Sequence, residues 1–155
     1  MSWTVFLRRG LVIVASAAKT RAGFYMDVEP VRVAESNDLE SIGRAVKFVI
    51  DRGEVIVDTP TRASMPPAVV LKYAGVKTWS SFANGMSNWH IRRRDLRFVI
   101  EIPVNAASAA ERSNRTSKEE MLPIGATSED VGRRIAQSIQ DYLSKPSDSE
   151  RDSAT

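Results

Sequence analysis

Residues 66–85 read PPAVVLKYAGVKTWSSFANG, and the rest of the chain is organised around this stretch. Its two leading prolines suit the first turn of a helix, where a backbone N–H has no intrahelical partner. Gly75 can then end that helix in a left-handed conformation, and the Thr78 side chain can cap a second one. The stretch therefore predicts two short helices, at 67–74 and 78–84.

Two aromatic residues of the stretch, Trp79 and Phe82, are candidates for the core. They lie three positions apart, so they share one face of a helix. Burying an indole removes roughly 150–250 Å² from water, which contributes about 4–6 kcal/mol at ~25 cal/mol per Å². We predict that both rings are buried, together with Val69 and Val70, and that they hold helix and sheet together.

The composition indicates a single domain. A chain of 155 residues with 43% hydrophobic residues can bury a sizeable core without metals or cross-links. There is no cysteine, which excludes disulfides and thiolate metal sites. The formal charge of +3 is unevenly spread, with eight acids and four bases in residues 25–60 but five acids and ten bases in residues 61–120. This is weaker than the basic stripe of a dedicated nucleic-acid binder.

The N-terminal region has two interpretations. Arg8-Arg9 followed by GLVIVASAA is similar to the charged and apolar regions of a signal peptide. The same apolar residues, at 11–17, equally suit a buried strand beside a first strand at 3–8. No segment reaches the ~18 apolar residues of a membrane span, so we expect no membrane contact.

The next elements are a strand and a helix. From Phe24 the chain alternates apolar and polar residues as a half-buried strand does, and Pro30 predicts an edge, a bulge or a break. Asn37 and Glu40 have the spacing of a capping box, and apolar residues then recur with helical period until Gly53. We predict a helix over 37–52.

The second half begins with a hairpin, whose turn lies near Arg94-Asp95. The chain from 105 to 120 shows no periodicity and predicts a long loop. Thr127 and Asp130 resemble the start of a terminal helix. Residues 145–155 contain no large apolar side chain and predict a disordered tail.

Together these elements predict one α+β domain over residues 1–144. Its sheet should be largely antiparallel, or mixed, and should be packed by two main helices, with the short helices at 67–74 and 78–84.

The sequence offers few groups for catalysis. His90 is the sole histidine, and Asp27 and Glu29 share a strand face, so one alternative is a hydrolase that combines them. Another alternative is a nucleic-acid-binding module that uses the Arg-rich hairpin 89–97. Neither forms a convincing constellation, and we predict no cofactor and no metal.

The run from 66 to 82 resembles the motif of the immunity proteins of contact-dependent growth inhibition (CdiI-like) systems, a Pro-rich lead-in followed by Leu-Lys-x-x-Gly-Val-Lys-x-Trp-x-x-Phe. The residues that fit this motif are Pro67, Leu71, Lys72, Gly75, Val76, Lys77, Trp79 and Phe82. A looser resemblance extends over roughly residues 30–143.

The resemblance implies a small, non-enzymatic, cytoplasmic protein of bacterial competition. Such a protein binds the toxin domain delivered by a neighbouring cell, commonly a nuclease, and blocks its active site. It implies a protein partner, no membrane and no direct contact with nucleic acid.

Three groups of residues are candidates for the contact with that partner. Acidic residues would complement a basic toxin, arginines would complement an acidic one, and the lysines of the motif are candidates for specific polar contacts. The acidic group is Asp27, Glu29, Glu35, Asp38 and Glu40; the others are Arg92, Arg94 and Arg97, and Lys72 and Lys77.

Overall fold

The computed structural model describes residues 1–104 and 117–145, and within them one sheet of seven strands packs with four helices. The strands are β1 (Ser2–Arg8), β2 (Leu11–Thr20), β3 (Tyr25–Glu35), β4 (Glu54–Val57), β5 (Met86–Arg94), β6 (Arg97–Pro103) and β7 (Ser117–Met121). The helices are α1 (Leu39–Arg52), α2 (Val70–Ala74), α3 (Trp79–Ala83) and α4 (Ser128–Ser144).

The sheet runs in the order β3-β2-β1-β5-β6-β7, and all these neighbours are antiparallel. The short strand β4 pairs with the end of β2 in parallel, from Ala17 opposite Glu54 to Thr20 opposite Val57. The predicted α+β class and its largely antiparallel sheet are therefore confirmed. The apolar run after Arg9 forms the buried strand β2.

One face of the sheet carries the two long helices. Trp3, Val5 and Ile91 lie in a single buried cluster with Ile42 of α1 and Ile135 of α4. The opposite face carries the two short helices, where Phe6 and Ile13 pack with Val70, Leu71 and Phe82. Neighbouring residues of β1, Val5 and Phe6, thus enter different cores, because successive strand side chains point to opposite faces.

Trp89 fixes α4 to the middle of the sheet. Its indole Nε1–H donates a buried hydrogen bond to the Ser138 hydroxyl at 2.9 Å. Its ring meets Tyr142 edge to face, with centroids 5.4 Å apart. The Tyr142 hydroxyl in turn lies 2.7 Å from the hydroxyl of Ser87. One strand is therefore joined to α4 by a ring contact and two hydrogen bonds.

Most of the predicted helix starts and ends are confirmed. Gly53 follows α1 with a φ of 74°, and Thr127 and Asp130 form the predicted capping box of α4. The prediction of a capping box at Asn37 is wrong, because the cap residue is Asp38, whose carboxylate accepts a hydrogen bond from the Ser41 N–H. A carboxylate at this position also interacts favourably with the helix dipole.

Two further predictions need correction. The first short helix begins at Val70 and not at residue 67, and no side chain caps its first turn. The predicted loop at 105–120 is wrong for its last four residues, which belong to β7 and pair with β6. This strand depends on contacts with distant residues and has no alternation of its own. Residues 105–116 of that loop, and 146–155 of the predicted tail, lie outside the described residues.

The irregularity predicted at Pro30 is confirmed. Strand β3 ends the pairing order on its side, and its register against β2 shifts between Ala15 and Ser16. The Ser16 hydroxyl donates to the Pro30 carbonyl at 2.7 Å, which satisfies a carbonyl within this irregular segment. Among the described helices, none is long and apolar enough to cross a membrane.

The two long helices cross at a pair of glycines. A Cβ atom added to Gly132 would lie 2.5 Å from the Gly43 carbonyl oxygen, whereas one added to Gly43 would lie 3.7 Å from the nearest backbone atoms of Gly132. The closeness of the crossing therefore depends on Gly132, while position 43 has room for a methyl group.

Gly132→Ala should destabilise the protein by about 1–3 kcal/mol, because the added methyl group forces the helix backbones apart. Gly43→Ala is the matched control and should change the free energy of unfolding by less than about 1 kcal/mol, since a better helix former offsets the small contact. Urea denaturation of both variants measures the difference. Equal losses of stability at the two positions would contradict the described crossing.

Candidate partner-binding surface

The motif residues lie in the layer formed by α2 and α3. Leu71 and Phe82 are buried against β1 and β2. Gly75 ends α2 with a φ of 69°, and its N–H is directed to the carbonyls of Leu71 and Lys72. Pro67 is exposed in the segment that leads into α2. The motif therefore supplies both the interior and the surface of this layer.

The prediction that Trp79 is a core anchor is wrong, because 49% of this residue is exposed. Helix α3 has five residues, and Phe82 occupies the position that faces the sheet, with its ring centroid 5.2 Å from that of Phe6. Trp79 lies on the rim of the same cluster, 5.3 Å from Phe82 and 6.4 Å from Phe6 between centroids. Its inner side is packed and its outer side faces solvent.

Helix α3 is held by one local hydrogen bond and by one from the sheet. The Thr78 hydroxyl caps the helix by accepting the Ser81 N–H at 3.2 Å. From β1, the buried Arg8 side chain donates through Nη2 to the Ser81 carbonyl, also at 3.2 Å. The backbone that carries Trp79 is thus fixed to the sheet, while Lys77 beside it is exposed.

Lys72 and Glu29, predicted in different groups, contact each other. Lys72 Nζ lies 2.5 Å from Glu29 Oε1, and the Tyr73 hydroxyl donates to the same carboxylate at 2.8 Å. The hydrogen bond from Lys72 lowers the pKa of Glu29, and the same bond raises the pKa of Lys72. This cluster joins α2 to β3, so both charges are already balanced within the chain.

The other predicted acids do not form one surface. Asp38 caps α1, and Glu40 forms an ion pair with Arg44 at 2.7 Å. Glu35 is exposed at the end of β3, whereas Asp27 is half-buried. The acidic segment seen in the sequence is therefore distributed over a strand and a helix start, and several of its charges have partners.

Asp27 is the most unusual of these acids. It lies opposite Ala17 in the sheet, and Glu54 lies opposite Ala17 on the other side, so the three side chains share one face. Burial raises the pKa of Asp27 to about 6. The pKa of Tyr25 is also raised, mainly by burial and to a lesser extent by the nearby Glu54 carboxylate. Buried Glu54 Oε2 has no hydrogen-bond partner within the described structure.

The arginine side chains of the hairpin lie on both faces of the sheet. Arg92 forms an ion pair with Glu119 of β7, and Arg97 donates to the Met121 sulfur at 3.0 Å. Arg93 points to the other face, where its guanidinium lies 5.3 Å from the centre of the Phe98 ring. Arg94 is exposed near the turn. Arg94 lies directly opposite Arg97 across the hairpin, and Arg92, two positions from Arg94, shares their face. Three of the four arginines are therefore neighbours, and Arg93 is separated from them.

The hydrolase alternative is not assembled. His90 contacts Thr4 Oγ1 at 3.3 Å and Asn88 Nδ2 at 3.0 Å through its two ring nitrogens. Its strand lies three strand spacings from β3, about 14 Å, so it does not reach Asp27 or Glu29. Within the described residues, no group of three or more His, Cys, Asp or Glu side chains could hold a metal ion.

Sequence reasoning missed that Trp79 is a surface residue, although one signal was available. Residues 59–94 contain six bases and no acid, so the motif sits in the middle of an acid-free segment. Such a segment suits a surface that meets a partner of opposite charge. The contact between Arg8 and Ser81 had no signal, because it depends on where the sheet places β1.

Comparison with known proteins shows a shared fold. No protein-family model matches the chain, and no curated protein sequence matches it. One similar solved structure is a protein of unknown function from Neisseria meningitidis, at 12% identity and a TM-score of 0.53, covering 88% of this chain and 93% of that one. Another is a chain of a CdiA-CT/CdiI toxin and immunity complex from Yersinia pseudotuberculosis, at 12% identity and a TM-score of 0.54, covering 89% and 95%.

Asp27→Asn should stabilise the protein at neutral pH. The folded pKa of Asp27, about 6, lies above its ordinary value of 3.8, so ionising this group costs stability as the pH rises through that interval. The variant should gain about 1–3 kcal/mol above pH 7 and should match the native protein below pH 4. Urea denaturation at both pH values measures this.

Glu120→Gln should behave in the opposite way. Arg134 donates two hydrogen bonds of 2.7 Å to this carboxylate and lowers its pKa. The variant should be less stable than the native protein at pH 7, and the difference should disappear as the pH falls well below 4.5, the ordinary pKa of Glu.

A gain in stability for Asp27→Asn that does not vary with pH would contradict a buried Asp27 that ionises at neutral pH.

Proposed function

We propose that this chain is the immunity protein of a contact-dependent growth inhibition system, and that residues 1–144 form its toxin-binding domain. It binds a cognate toxin domain of the nuclease class in the cytoplasm and blocks the toxin's active site without catalysing a reaction. The observation that carries the proposal is the likeness in fold to a chain of a CdiA-CT/CdiI toxin and immunity complex, which covers 89% of this chain and 95% of that one.

Two features of the chain support the proposal. The run from 66 to 82 resembles the motif of CdiI-like immunity proteins, and it is built into one layer on the sheet. The groups that could serve a hydrolase are held apart, with His90 engaged by Thr4 and Asn88. The ion pair between Arg92 and Glu119 weakens the nucleic-acid alternative by engaging one arginine of that hairpin, which leaves Arg94 and Arg97 as its neighbouring bases.

The proposal sets a scale for the interaction. An inhibitor that acts at low cellular concentration needs nanomolar affinity or better, about −12 kcal/mol. An interface of roughly 1,600 Å² can supply this when it contains a few well-packed anchoring residues.

Co-expression with the toxin domain encoded by the neighbouring gene tests the proposal. Cells that produce both proteins should grow, cells that produce the toxin domain alone should not, and the two proteins should co-purify with a Kd in the nanomolar range or below. A toxin domain from an unrelated system is the control, and the chain should not protect against it. Loss of intact RNA or DNA in unprotected cells would identify the nuclease class.

The proposal fails if the purified domains do not form a complex, or if growth is not restored although the chain is produced in folded form. Protection against the cognate and the unrelated toxin alike would also contradict it, because immunity requires a specific interface.

A further inference from the structure

We infer that Trp79 and Lys77 form the centre of the toxin-binding surface, and that this surface takes an acidic face of the toxin domain. The inference rests on the proposed function and deepens it, since it names the face of this chain that is used and the charge of its partner.

Trp79 has the properties of a binding anchor. Half of the residue is exposed, yet its ring contacts Phe6 and Phe82 and its helix is capped by Thr78. A large aromatic side chain that is already held in place loses little conformational entropy when a partner covers it. Tryptophan is also among the residues most enriched at the energetic centres of interfaces.

The charges around Trp79 select the partner. Lys77 is exposed two positions away, and Arg9 is exposed in the β1–β2 connection. Arg9 follows the buried Arg8 of β1, whose side chain donates to the Ser81 carbonyl of α3. Residues 59–94 contribute no acid, and no ion pair joins Lys77 to any described residue. A surface of this kind attracts and orients an acidic partner.

The predicted acids do not form one competing surface, and three of them already have partners within the chain. Glu29 is balanced by Lys72, Asp38 holds the start of α1, and Glu40 is paired with Arg44. A basic toxin would have to share these exposed contacts, which modestly lowers the gain from each new ion pair.

One class of nuclease has a group of carboxylates at its active site. Enzymes that cleave phosphodiesters with divalent metal ions hold those ions with carboxylates around the active site. A lysine next to an exposed indole can cover such a group of carboxylates, the lysine balancing their charge and the indole excluding water.

The test compares point variants in binding to the toxin domain encoded by the neighbouring gene. Trp79→Ala should weaken binding at least ~30-fold, the usual threshold of an anchoring residue. Lys77→Glu should weaken binding at least ~10-fold, with slower association at low salt. The matched controls are Leu96→Ala, another exposed apolar residue, and Arg52→Glu, another exposed base, which lies at the end of α1 on the other side of the sheet; both should stay within about 3-fold.

Folding is checked by circular dichroism and thermal unfolding, because Trp79 also packs on Phe6. If Trp79→Ala is not fully folded, Lys77→Glu carries the test, since its side chain is exposed and makes no ion pair with a described residue.

The possible outcomes separate the two claims. If the native chain does not bind the toxin domain, the proposed function fails and this inference fails with it. If the native chain binds but the variants at 77 and 79 behave as the controls do, the inference is overturned and the function stands. If these variants lose affinity for a single-stranded oligonucleotide while toxin binding is unchanged, the surface serves nucleic acid and the inference is again overturned.

Discussion

The structure depends on the burial of Trp89 between the sheet and α4. Its indole N–H has one buried partner, the Ser138 hydroxyl, and its ring packs against Tyr142. Because a buried donor without a partner costs about 1–3 kcal/mol, this contact fixes both the position and the rotation of α4 along β5. Once α4 is placed, the close approach at Gly132 determines where α1 can lie.

Helices α1 and α4 then cover one face of the sheet, and the motif residues of α2 and α3 cover the other. Strands β1 and β2 serve both cores, since Val5 faces the long helices while Phe6 faces α2 and α3. In the five residues of α3, Phe82 takes the inner position. Trp79 is left at the rim, packed on one side and open on the other. The fold thereby presents a rigid aromatic residue at the surface.

The sequence allowed the fold class and most elements to be predicted, because they follow from local patterns. The alternation of β3 with its irregularity at Pro30, the capping box at Thr127 and the glycine after α1 are all signals within a few residues. What could not be predicted depends on distant contacts. Strand β7 exists through its pairing with β6, and the exposure of Trp79 follows from a competition with Phe82 for one position.

The candidate site was only partly predictable for the same reason. Charges that looked available in the sequence, such as Lys72 and Glu29, neutralise each other in space. Amide hydrogen exchange on the full chain, alone and with its cognate toxin domain, tests the resulting account most directly. The account predicts slower exchange at the amides of α3 (Trp79–Ala83) and unchanged exchange at the hairpin turn near Arg94. Protection at residues 35–40, with none in α3, would contradict it.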